Sequence, residues 1–174
     1  MDGPAGRRLT PRWRKLLLTV HVAGSVGLLG TDAAVVLLVG AGLRGSDPRA
    51  VYPAAELIGT ALLLPLALVA LASGVALGLL TQWGLLRYWW VAVKFALTAA
   101  GTVLALVVLT PALGAAADAV RAGTLPSGAA RLMLLRDAGA ASVVLLTTVV
   151  LSVYKPFGKV RAHRPISAGA SRAR

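Results

Sequence analysis

Six side chains combine reactive chemistry with apolar surroundings in this 174-residue chain: His21, Asp32, Glu56, Lys94, Arg136 and Asp137. Ionisable groups inside long apolar runs are costly to hold in hydrocarbon. Where they occur they mark ion or proton pathways, paired charges or ligands. His21 and Asp32 are eleven residues apart, about three helical turns, so a helix carries both on one face with Ser25 and Leu28 between them. That separation is about 16 Å along the axis, too far for the two to share a metal ion. His21 is read as an interhelical hydrogen-bonding group, with a proton relay or an axial haem ligand as the functional alternatives. Haem b with two histidines would need a second buried one, and His163 lies in a basic tail.

Asp32 is expected to pair with Arg136, the natural cation at a similar depth. Glu56 would compete for that guanidinium or share a proton with Asp32. The pairing either fixes helix register or belongs to a cation- or proton-responsive site. Lys94 is expected to lay its stem along apolar surface and bring its ammonium to the nearer headgroups. Thr98, Thr102, Thr147 and Thr148 can satisfy backbone carbonyls or line a cavity. No Walker loop, zincin motif, nucleophile elbow or dinucleotide fingerprint occurs. No catalytic residue and no metal ligand is assigned, and the protein is not expected to be an enzyme.

The elements that must position these groups are four apolar stretches, at about 16–43, 51–80, 89–113 and 129–154. Each is long enough to cross a hydrocarbon core of ~30 Å as a helix. Lipid tolerates no open sheet edge, and strand-like alternation is absent, so the fold class is an all-α integral membrane four-helix bundle. A cleaved signal peptide is the alternative for the first stretch, but 28 uninterrupted residues exceed an h-region. Gly45-Ser46-Asp47-Pro48 makes the first turn, and Ser127 is a candidate N-cap for the last helix. Residues 115–122 are expected as a short surface helix. Gly24, Gly27 and Gly30, and the stripe Ala70, Gly74 and Gly78, invite close helix packing within the bundle or across a homodimer.

Composition gives the same picture. Hydrophobic residues make up 57% of the chain and charged ones 14%, with net charge +12 and mean hydropathy +0.79. A soluble domain carries about 25% charged residues, so a soluble enzyme and a disordered tail are excluded as descriptions of the whole. The basic tails 1–15 and 155–174 carry +4 and +6, leaving the 16–154 domain almost neutral. Charge that abuts an apolar run orients it; nucleic acid is not the expected partner. With both termini cytoplasmic, twelve basic residues flank the inner face and four the outer. Trp13, Trp83, Tyr88, Trp89 and Trp90 fall at the inner interface as anchors, and Tyr52 alone marks the outer one. Arg outnumbers Lys 14 to 4, as expected of a GC-rich bacterial genome, which points to the cell membrane and multi-pass insertion. The absence of cysteine rules out disulfides and thiolate sites.

The run Leu18-Thr19-Val20-His21-Val22-Ala23-Gly24-Ser25-Val26-Gly27-Leu28-Leu29-Gly30, with Trp89-Trp90-Val91-Ala92-Val93-Lys94, resembles a family of bacterial predicted integral membrane proteins of unknown function, the 2269-type domain. The resemblance covers residues 15–155 and implies a four-helix chain with a histidine in its first helix. Such families are likened to haem- or copper-associated membrane proteins. The leading expectation for function is a non-enzymatic membrane subunit or accessory protein with lipid and membrane-protein partners. The alternatives are an ion- or proton-coupled small-solute transporter using Asp32 and Glu56, and a haem- or redox-associated protein using His21.

Overall fold

The computed structural model describes residues 10–80 and 88–154. They form four long helices: α1 (Pro11–Leu43), α2 (Pro48–Leu80), α3 (Trp89–Arg121) and α4 (Gly128–Tyr154). All four are long and apolar enough to cross a membrane. At 1.5 Å per residue, a 33-residue helix is about 50 Å long, so its ends outrun a ~30 Å hydrocarbon core. Three boundaries differ from the sequence reading, and the first is that α1 begins at Pro11 and not at about 16. The segment 115–122 is no separate surface helix; it continues α3 to Arg121 through Gly114, because the alanine-rich run that follows favours helix and Ala116, Ala117 and Val120 are buried in the bundle. Likewise α2 starts at Pro48, where proline is preset for the first helical turn and Asp47 caps by accepting from Arg49 N at 3.0 Å.

The other caps follow the same chemistry. Ser127 Oγ accepts from Ala130 N at 3.1 Å at the start of α4. Both α1 and α3 end on a glycine in the left-handed region, Gly45 (φ 99°) and Gly123 (φ 80°). Each closes a Schellman turn, with Ser46 N donating to Ala41 O and Thr124 N to Ala119 O.

Successive helices run antiparallel. Gly42 meets Tyr52 and Gly24 meets Val69 across α1 and α2, while Lys94 meets Ser152 across α3 and α4. Helix α4 closes the ring by packing back on α1, and the diagonal pairs stay apart. The bundle thus has a termini end, where α1 and α3 begin, and a hairpin end, where they finish.

The core is lopsided. Val35, Val39, Tyr52, Ala55, Leu113, Ala116, Ala117 and Ala138 are all buried toward the hairpin end. Toward the termini end the buried apolar residues thin out to Ala70 and Leu151. Tyr52, expected at an interface, is instead fully buried, because Gly42 has no side chain and admits its hydroxyl.

Helices α2 and α3 each contain one π-helical turn, Gly59–Leu63 and Ala105–Leu109. Each ends two residues before a proline, Pro65 and Pro111. Proline donates no hydrogen bond and its ring crowds the carbonyl four residues back, and a widened turn relieves both problems. Antiparallel packing brings the two wide turns to similar depth in neighbouring helices.

Candidate functional site

Two cavities lie on the bundle axis, each lined by residues of all four helices. The hairpin-side cavity is about 370 Å³ and is lined by Asp32, Thr98, Thr102, Arg136 and Asp137 among apolar residues. Leu63, Ala105 and Leu109 of the two π turns form part of its wall. The termini-side cavity is about 560 Å³ and includes Arg14, His21, Ser25, Lys94, Thr148 and Ser152. Thr98 lines both. The stripe His21, Ser25, Leu28 and Asp32 faces this axis along its whole length, two residues to each cavity.

Asp32 is fully buried, and Ser142 donates its hydroxyl to Oδ2. The other carboxyl oxygen, Oδ1, has no hydrogen-bond partner among the described residues. A buried carboxyl with a free oxygen beside a cavity is an energetic liability, because an unsatisfied buried acceptor costs about 1–3 kcal/mol; Tyr52 Oη, Thr110 Oγ1 and Arg131 Nε are also buried without a partner among the described residues.

The expected Asp32–Arg136 pair does not form. Arg136 donates through Nε (2.9 Å) and Nη2 (2.7 Å) to Oδ1 of its neighbour Asp137. The reason is helical phase. The buried face of α4 runs through Leu134 and Ala138, and Ser142 is one turn further on. Arg136 sits two residues from Ala138, about 200° around the helix. Glu56 does not share a proton with Asp32 either. It accepts from Arg121 Nη2, while Arg121 Nη1 bonds Asp118 at 2.7 Å, so the trio ties α2 to the far end of α3.

His21 Nδ1 lies 3.0 Å from both Ala70 O and Ser73 Oγ. A carbonyl only accepts, and the Ser73 hydroxyl donates to Val69 O at 2.6 Å, so Nδ1 carries the proton and donates to both. His21 is thus an interhelical bond between α1 and α2, seated against Gly74, where a Cβ would come within 3.1 Å of its ring. His163 lies outside the described residues. Among those residues no group of three His, Cys, Asp or Glu could hold a metal.

Lys94 has a partner inside the bundle. Its ammonium is half-buried and donates to Ser152 Oγ at 2.7 Å across the bundle. Antiparallel packing brings this α4 hydroxyl within reach, so the side chain crosses the cavity instead of running along the helix. Thr98 and Thr102 donate to the carbonyls four residues back, at 2.9 and 2.8 Å, and still present their oxygens to the cavities. Both of the roles weighed for these threonines are therefore filled.

The small residues divide by phase. Gly24 and Gly27 admit Val69 and Leu66 of α2, but Gly30 is exposed with nothing within 4 Å of its Cβ position. Steps of three residues rotate 300° each and carry Gly30 off the contact face. Ala70 and Gly78 are buried and Gly74 abuts His21, so that stripe packs against α1 inside the bundle. Trp13 and Trp89 are exposed, Tyr88 and Trp90 stand 6.5 Å apart between ring centres, and Trp83 lies outside the described residues. Sequence reasoning missed the two π turns, for which Pro65 and Pro111 inside apolar runs were the available signal.

These observations define the class of protein: an all-α four-helix bundle whose helices each have the length and apolarity of a membrane span, with a polar axis. No family model, curated protein or solved structure matches the chain.

Proposed function

We propose that the protein is a multi-pass cell-membrane protein, termini cytoplasmic, that acts as an ion- or proton-coupled carrier of a small solute, with Asp32 as the group that takes up the cation or proton. The observation that carries this reading is the fully buried Asp32 carboxyl, with one oxygen unbonded, lining a cavity at the centre of the bundle. Arg136 and Asp137 pair with each other, so Asp32 is the carboxyl of that cavity without a described cationic partner, which suits it to take up a cation or proton. Thr98 and Thr102 supply acceptor oxygens along the route between the cavities. Glu56, committed to Arg121, is left out of the cycle.

The purified full chain in liposomes loaded with a pH-sensitive dye tests this, with imposed proton, Na⁺ and K⁺ gradients as the probes. Uptake well above empty vesicles for at least one of the three, lost roughly tenfold or more in a folded Asp32→Asn variant, is the expected result. Wild-type flux equal to that of empty vesicles overturns the reading and favours an accessory subunit with a structural Asp32. Orientation has its own test, because the chain contains no cysteine. Ser46→Cys should react with an impermeant maleimide from outside intact cells, and Thr10→Cys should not.

A further inference from the structure

Acids and bases are distributed unevenly along the bundle axis. Asp32, Asp47, Glu56, Asp118 and Asp137 are the acidic residues within the described segments, and all five lie in the hairpin half. The termini half, made of residues 10–26, 68–80, 89–104 and 145–154, contains no carboxylate. Yet Arg14, His21 and Lys94 line the cavity there. The Lys94 ammonium has three donor hydrogens, and Ser152 accepts one at 2.7 Å. A half-buried cation facing only a hydroxyl is poorly compensated, because low dielectric strengthens the demand for a counter-charge that no described neighbour supplies.

The rest of the wall has a different character. Leu18, Val22 and Val26 of α1 and Val149 and Val153 of α4 line the same cavity and are also exposed, whereas its α2 and α3 walls are not exposed. The cavity therefore has its side opening between α1 and α4, and that opening is apolar. At the termini end, Arg14 is exposed and within reach of anything entering from the headgroup layer. A cationic floor with an apolar side opening matches an amphiphile with an anionic head.

We infer that the termini-side cavity is a binding site for an anionic phospholipid, whose head phosphate pairs with Lys94 and Arg14 and whose acyl chain leaves between α1 and α4 along Val22, Val26, Val149 and Val153. A phosphate oxygen accepts the free ammonium hydrogens and a guanidinium fork, both charge-assisted bonds. The proposal rests on membrane insertion but not on any chemistry of Asp32.

The test titrates the full chain in mild detergent with phosphatidylglycerol, phosphatidylcholine and inorganic phosphate, reading melting temperature and lipid retained in native mass spectra. Phosphatidylglycerol should raise the melting temperature saturably and stay bound. Phosphatidylcholine should bind at least about tenfold more weakly, and inorganic phosphate should not reproduce the shift at equal concentration. Lys94→Gln should weaken phosphatidylglycerol at least about tenfold. Arg14→Gln, at an exposed position, should weaken it by a smaller factor, and Arg121→Gln at the other end should leave it unchanged. Equal response to the two lipids, an equal response to free phosphate, or wild-type binding by both Lys94→Gln and Arg14→Gln would each overturn the assignment. Loss of cation flux with retained lipid binding would count against the Asp32 reading alone.

Discussion

At the hairpin end every described acid has a partner within the chain: Glu56 and Asp118 on Arg121, Asp137 on Arg136, Asp47 on the backbone of Arg49, and Asp32 on Ser142. At the termini end the cavity-lining His21 and Lys94 meet only hydroxyls and a carbonyl among the contacts described, and Arg14 lines the same cavity. Packing follows the same division, dense around Tyr52 and Leu113 and open around Lys94. One half pairs all of its described acids internally, and leaves Asp32 Oδ1, Tyr52 Oη, Thr110 Oγ1 and Arg131 Nε as its buried polar atoms without a hydrogen-bond partner among the described residues. The other half is incomplete in charge and volume together, which is the signature of a surface meant to be completed from outside.

Erasing the difference should produce the largest effect. Ser152→Asp puts a carboxylate where Lys94 already reaches, so it should abolish the phosphatidylglycerol-dependent rise in melting temperature. Persistence of that rise would mean the lipid is held elsewhere. In the hairpin half, Ser142→Ala removes the donor to Asp32 and should cost about 1–3 kcal/mol, measured by reversible unfolding in mixed micelles. A double-mutant cycle sharpens this. Asp32→Asn with Ser142→Ala should show coupling of about 0.5 kcal/mol or more, while Asp32→Asn with Arg136→Gln should be additive within about 0.5 kcal/mol. Strong coupling of the second pair would restore the direct Asp32–Arg136 bridge.

Glycine substitutions probe the packing contrast. Gly42→Ala brings a methyl to 3.0 Å from the hydroxyl of the fully buried Tyr52 and should destabilise by roughly 1–3 kcal/mol. Gly30→Ala meets nothing within 4 Å and should be neutral, or stabilising by up to about 1 kcal/mol through helix propensity. The smallest effect belongs to Glu56 and Arg121. Arg121 is about half exposed, so their cycle should give the weakest coupling of these pairs and fade in high salt.

Much of this molecule is legible without coordinates. Four apolar runs dictate four helices, and the Ser127 cap is local chemistry that needs no tertiary contact. The stripe from His21 to Asp32 follows from helical period alone. So does the failure of Gly30 to pack, since two steps of 300° carry it off the face of Gly24. Pro65 and Pro111, two residues after the π turns, mark them in the sequence as well.

What the linear chain could not fix is which helix faces which, and at what depth and rotation. Arg136 and Asp32 have matching charges and comparable depth, and only the phase of α4 against α1 hands Asp32 to Ser142. Glu56 finds Arg121, and Lys94 finds Ser152, because antiparallel neighbours bring residues 65 and 58 positions apart into contact. The sequence by itself determined the number, length and composition of the helices, since hydropathy and propensity act locally along the chain. The tertiary structure alone decided the pairings and the two axial cavities, since these depend on rotations of a few tens of degrees between helices, which composition leaves free.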